Sequence, residues 1–186
     1  MTTYAEDLSR AFGFLKLEEV ELIKLIAKKM PPEAKIVNLG AGVGTSSLAI
    51  VEQRPDLAGT LWTVDISQEG PLGGLDNEVH AFSPTGLKLP NQILGDALAI
   101  GKDWSTTLDW LLVDDDHTPS HVLEECKFWL PWLRVGGVVC FHDYDPVMRG
   151  GLKLILDDLV KKLSPSGKPK IAGTLISVTV GKAYRG

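Results

Sequence analysis

The chain has little cysteine, no long apolar run and a deficit of positive charge. Its 186 residues include two cysteines, Cys126 and Cys140, and nothing places them at scaffold or metal-ligand spacing. That excludes a disulfide-stapled fold. Both stand in apolar runs, so buried free thiols in a reducing compartment are the expectation. No stretch reaches the roughly 18 uninterrupted apolar residues of a membrane span. Residues 1–30 carry Glu6, Asp7, Arg10, Lys16, Glu18 and Glu19 and contain no apolar core of signal-peptide type. The expectation is a cytoplasmic protein with no membrane partner. Lys and Arg number 19 against 24 Asp and Glu, a net charge of -5, and no basic run stands out. That speaks against a nucleic acid partner. Repeats and low-complexity tracts are absent as well.

What is present reads as one domain, 1–186, with an N-terminal helical segment over 1–33. Leu17 to Met30 has a helical stripe of Leu17, Val20, Ile23, Ala27 and Met30, stopped by Pro31-Pro32. Helix-period and strand-like segments then alternate. Strands are expected at Lys35–Leu39, Leu61–Val64, Gln92–Leu94, Leu108–Val113, Val138–Phe141 and Leu175–Val180. Helices are expected at Thr45–Glu52, around Asp76–Phe82, from Thr118 as cap with Pro119 at the first position, and along Leu152, Ile155, Leu159 and Leu163. Pro131 should kink or end the third of these, and Gly136-Gly137 should turn the chain into the next strand. Such alternation implies right-handed crossovers. The fold class is α/β: a Rossmann-like, doubly wound, mainly parallel sheet with helices on both faces. Such sheets bind ligands at the carboxyl ends of their strands.

Five successive strand-like runs end in a glycine loop or an acid: Gly40-Ala41-Gly42-Val43-Gly44, Asp65, Asp96, Asp114 and His142-Asp143. A single Asp there is an ordinary cap or turn residue. Five on one edge point to a site. Glycines in the loop after the first strand let backbone N–H groups approach a ligand. Asp65, at the end of the next strand, can accept hydrogen bonds from both hydroxyls of a ribose. A dinucleotide fingerprint would place its last Gly at position 45, which is Thr45 here.

The runs IVNLGAGVGTSSLAI, LWTVDIS, ILGDAL, LDWLLVDDDH and VGGVVCFHDYD follow one another in the order of a class I S-adenosylmethionine (SAM)-dependent methyltransferase. The chain most resembles the small-molecule and sugar O-methyltransferase-like branch. The likeness covers roughly residues 34–145, and 173–182 resembles that family's last strand. It implies SAM as cofactor. Gly40, Ala41, Gly42, Gly44 and Thr45 would line its methionine and ribose, and Asp65 would hold the ribose hydroxyls. Ile66 would lie beside the adenine, Asp96 and Ala97 would meet its edge, and Asp114 would stand near the methyl group. The family usually has an acid where this chain has Asn38, whose side chain can still accept a hydrogen bond.

Asp114, Asp115, Asp116, His117, His142, Asp143 and Asp145 crowd acids and imidazoles onto one edge. Crowded carboxylates repel, so something positive should relieve them. One reading makes Asp114 and Asp143 ligands of Mg2+ or Mn2+, with His142 or water completing the shell. Metal-dependent relatives tend to carry two adjacent ligands there, whereas Tyr144 follows Asp143. The other reading is metal-free, with His142 or His117 as general base for a hydroxyl acceptor. Trp110, Trp129 and Trp132 read as core or interface, and Trp104 is a candidate pocket wall. With no substantial lid in the sequence, 1–17, 67–91 and 144–151, or a second subunit of a homodimer, should shape the acceptor pocket. Two rivals stay open: a non-catalytic SAM-binding module, and an NAD-dependent oxidoreductase.

Overall fold

Strand β1 (Ile36–Leu39) is buried at every position, because it lies at the middle of a sheet covered on both faces. In a computed structural model that describes residues 2–70, 73–145 and 151–185, β2 (Leu61–Asp65) pairs with it on one side and β4 (Leu108–Val113) on the other, both parallel. Beyond them β3 (Asn91–Leu94) and β5 (Leu133–Phe141) continue the parallel sheet. Strand β7 (Leu175–Thr179) runs antiparallel beside β5, and β6 (Lys170–Ala172), antiparallel to β7 and so in the direction of β1–β5, completes the order β3-β2-β1-β4-β5-β7-β6. Strand order reverses between β1 and β4, which opens the crevice expected of such sheets.

Successive side chains point to opposite faces, so each apolar strand feeds two cores. Ile36, Trp110, Leu112 and Cys140 join the first core, with α1 (Tyr4–Phe12), α2 (Leu17–Ala27), α3 (Thr45–Gln53) and α4 (Leu75–Phe82). Val37, Leu39, Leu111, Val113 and Phe141 join the second, with α5 (Ala97–Asp103), α6 (Pro119–Trp129) and α7 (Leu152–Lys162). Trp129 is fully buried there and donates its indole N–H to the Ala97 carbonyl at 2.9 Å. Cys126 and Cys140 are buried free thiols, as expected.

The structure corrects several boundaries. Helix α1 was not legible as a stripe; Thr3 and Glu6 cap it reciprocally in a capping box. Helix α2 ends at Ala27 rather than Met30, and α5 and β6 were missed, being only 7 and 3 residues long. Gly136 and Gly137 do not precede β5 but lie inside it, where the register with β4 shifts between Leu108 and Trp110. The pair accommodates a bulge. Thr118 makes no side-chain cap to α6; Asp116 Oδ1 instead accepts the Thr118 N–H at 2.7 Å. Trp104 is a core-packing residue, edge-on to Trp62 and tilted on Trp129.

Candidate functional site

The glycine loop runs from the end of β1 into α3. Gly40 has φ +88°, and a Cβ there would stand 2.2 Å from the Asp114 carbonyl oxygen. Its lack of a side chain therefore serves the close approach of the loop to the end of β4. Around Gly42 a Cβ would meet nothing within 4 Å, so this residue faces open space. The loop after β2 folds back over it: Gly74 N–H donates to the Gly42 carbonyl at 2.9 Å, and Gly73 has no room for a Cβ against that carbonyl. Helix α3 begins at Thr45 with no side-chain cap at Gly44, which leaves backbone donors at an anion-favouring terminus.

Asn38 lies fully buried beneath the loop. Its Nδ2 donates to the Gly40 carbonyl at 3.0 Å and lies 3.0 Å and 3.1 Å from the Ser46 and Ser47 hydroxyls. Asn38 thus supports the loop from beneath. Ala41 and Thr45 are buried too, at 3% and 4% exposure, and offer backbone rather than side chain. The Asp65 carboxylate accepts the Ala41 N–H on Oδ2 and the Ser67 N–H on Oδ1, both at 2.8 Å. Each oxygen keeps a further lone pair. Ile66 is 74% exposed, a large apolar side chain left uncovered at this edge. Asp96 caps α5 by accepting the Leu98 N–H at 2.7 Å, and Ala97 turns into the core.

Across the crevice, side chains meet side chains. His142 has Nδ1 at 2.9 Å from Asp114 Oδ1 and 3.6 Å from Asp143 Oδ1. Its Nε2 stands 3.4 Å from both Glu19 Oε2 and the Thr174 hydroxyl. Burial alone would lower the His142 pKa, but the charges of Asp114 and Glu19 outweigh it and push it up to about 11. The ring is an imidazolium, which cannot accept a proton. A general base has to be unprotonated, so the raised pKa weighs against that role for His142, whose ring stands between the Asp114 and Asp143 carboxylates. Glu19 is fully buried. Burial raises its pKa, yet the His142 contact and the N–H groups of Lys16 and Thr174 hold it below the usual carboxylate value.

His117 is arranged differently. Its Nδ1 lies 2.9 Å from Asp143 Oδ2, and the side chain is 30% exposed. Asp143 is buried and sits at φ +55°, a strained conformation for a non-glycine residue. Strain of this kind is characteristic of functional sites. Sequence reasoning missed Glu19 and Thr174. A signal existed for Glu19: it shares a helix face with Ile23 and Ile26, so a charge occupies an apolar stripe. Of the expected pocket segments, 67–91 brings Gly73 and Gly74 against the glycine loop, while 71–72 and 146–150 fall outside the described residues.

A doubly wound sheet with a glycine loop after its central strand, an acid at the next strand end, a reversal at β1/β4 and an antiparallel β7 between β5 and β6 has the class I methyltransferase fold. The family model described as "Methyltransferase domain" matches residues 37–144, and the chain belongs to that family. Solved structures share the fold at low identity. The SAH-bound methyltransferase PaMTH1 of Podospora anserina superposes at TM-score 0.70 and 13% identity, covering 98% of this chain and 89% of that one. The O-methyltransferase TomG of Streptomyces achromogenes, in complex with SAM, gives 0.62 and 19%, covering 95% and 88%. An rRNA methylase of Streptococcus thermophilus gives 0.61 and 16%, covering 88% and 96%.

Proposed function

We propose that the chain is a SAM-dependent methyltransferase acting on a hydroxyl of a small molecule or sugar, with His117 as general base. The observation that carries this reading is the His117–Asp143 pair beside Asp114 at the crevice. Asp143 fixes the proton on Nδ1 and leaves Nε2 as the acceptor, the arrangement of a base with its orienting acid. When bound, SAM supplies a methyl group on a sulfonium. His117 takes the acceptor's hydroxyl proton, and Asp143 stabilises the imidazolium that results. Asp114 and Glu19 carry two negative charges against the one positive charge of His142, a surplus that suits a cationic cofactor. We place no metal at Asp114 and Asp143, because the imidazolium between them already relieves their repulsion.

On the cofactor side, Gly40, Ala41, Gly42, Gly44 and Thr45 present backbone to the methionine and ribose, with Asn38 holding the loop. Asp65 receives the ribose hydroxyls on its remaining lone pairs. Ile66 covers the adenine, whose edge meets Asp96 and Ala97. The O-methyltransferase name of TomG supports a hydroxyl acceptor. Although one neighbour is named an rRNA methylase, a net charge of -5 and an acidic edge disfavour a polyphosphate substrate here.

Calorimetric titration with S-adenosylhomocysteine, and with NAD beside it, tests the reading. Micromolar binding of the former alone is expected. Asp65→Ala should weaken it about 100-fold, the loss of two hydrogen bonds to a carboxylate at about 1.5 kcal/mol each. Binding of NAD instead would overturn the assignment. Tight S-adenosylhomocysteine binding with no turnover on any hydroxylated acceptor would favour a non-catalytic module.

A further inference from the structure

Asp115 is the chain neighbour of Asp114 but belongs to a separate cluster. Asp115, His121 and Glu125 each bring one ligand atom to within 4.8 Å of the others. His121 and Glu125 are four residues apart on α6 and so share a face. Asp115 comes from the segment that follows β4.

Glu125 is fully buried, and neither of its carboxylate oxygens has a hydrogen-bond partner. His121 Nε2 is likewise buried without one, 3.9 Å from Asp115 Oδ2. The group that faces Glu125 is the other carboxyl, Asp115, with Asp116 and Asp96 adding negative charge around it. Among the described residues no Lys or Arg pairs with Asp115 or Glu125. Burial, and then the Asp115 charge, push the Glu125 pKa up to about 10, and burial raises Asp115 as well. A buried carboxylate facing another without a counter-charge is costly.

Two arrangements relieve that cost: a proton shared by the two carboxyls, or a cation between them. A shared proton satisfies one oxygen on each side and leaves His121 Nε2 still unpartnered. A cation uses all three groups at once. We propose that Asp115, His121 and Glu125 bind one divalent cation of the zinc or manganese type. The nitrogen ligand and the small number of ligands disfavour Ca2+ and Mg2+. Ligand atoms about 2.1 Å from a tetrahedral ion stand roughly 3.4 Å apart, so the Nε2–Oδ2 gap needs only a small side-chain rotation to close. The ion ties the N-terminal half of α6 to the end of β4. It lies beside α5, through Asp96, and apart from the His142 cluster.

The experiment is titration of the full chain, freed of metal by chelation, with Zn2+ and separately Mn2+, read by calorimetry and thermal melting with Mg2+ as comparison. One equivalent of Zn2+ or Mn2+ should bind and raise Tm. His121→Ala and Glu125→Gln should each weaken binding more than about 100-fold, since even groups that only orient a ligand are worth 10–100-fold. Asp143→Asn should bind as the parent does. Glu125→Gln removes a buried charge, so its metal-free form should melt no lower than the metal-free parent, which separates loss of the site from loss of the fold. No binding of either ion would overturn the proposal and leave the shared proton. Binding that survives in both His121→Ala and Glu125→Gln, or fails in Asp143→Asn, would overturn it too by placing the ion elsewhere.

Discussion

Asp114 and Asp115 are consecutive, yet they enter two clusters of opposite electrostatic character. Asp114 faces a buried imidazolium, and that ring meets Glu19 on its other side. Asp115 faces Glu125, a buried carboxyl with no donor at either oxygen. The first cluster carries its own counter-charge in His142. Among the described residues the second has no Lys or Arg partner, and a neighbouring imidazole, His121, stands at the limit of ion-pair distance. An acidic pair with an internal cation is partly neutralised, whereas one without is left to find all of its counter-charge outside. Acidic residues counted along the sequence conceal that distinction.

The largest effect that sharpens the comparison is catalytic. His117→Gln should lower kcat about 10²- to 10⁴-fold, the usual contribution of a general base, while leaving S-adenosylhomocysteine affinity intact. Steady-state kinetics beside calorimetry would check it, and unchanged turnover would move the base elsewhere. Next comes His142→Gln, which strands Asp114 and Glu19 together. It should destabilise the fold by about 3 kcal/mol, as breaking one side of a buried ion pair does. Denaturant unfolding measures that loss, and a loss near zero would dissolve the contrast between the clusters.

The same pair has a pH signature. A histidine whose folded pKa is raised to about 11 stabilises fully below its unfolded value of about 6.5. That contribution declines as pH rises and is gone above about 11. Parent and His142→Gln stabilities should therefore converge between neutral pH and pH 11, whereas a constant gap would contradict the imidazolium. The smallest effect is Thr174→Val. It removes one hydroxyl bond to Glu19, made at 2.9 Å, and should cost about 1.5 kcal/mol, read as a shift in unfolding midpoint.

The centre of the sheet was legible because β1 and β4 are buried almost throughout and so nearly all apolar. Strand β4 matches its expected span of Leu108–Val113, and β1, β2 and β3 differ from expectation by one residue. Helix α1 lies within the expected helical segment 1–33, but its bounds were not read, because they are set by a capping box and by packing on α3. The N-terminus of α6 was recognised from Thr118-Pro119, but the side-chain contact there comes from Asp116. The buried acids Glu19 and Glu125 escaped for a common reason. Each stands on an apolar helix face, Glu19 with Ile23 and Glu125 with Trp129, where a charge looks like an interruption until its partners are known.

By itself, the sequence determined which strand ends carry glycine or acid, because apolar runs and the residues that terminate them are local facts. It thereby determined the edge on which the site lies. Tertiary structure decided how the crowded acids and imidazoles are shared out. The His142 pKa is raised because folding set Asp114 against Nδ1 and brought Glu19, 123 residues away in sequence, to within 3.4 Å of Nε2. His117 acquired its carboxylate neighbour, Asp143, when the ends of β4 and β5 came side by side. Charge partnership depends on distances of a few ångströms between residues far apart along the chain, and only packing sets those distances.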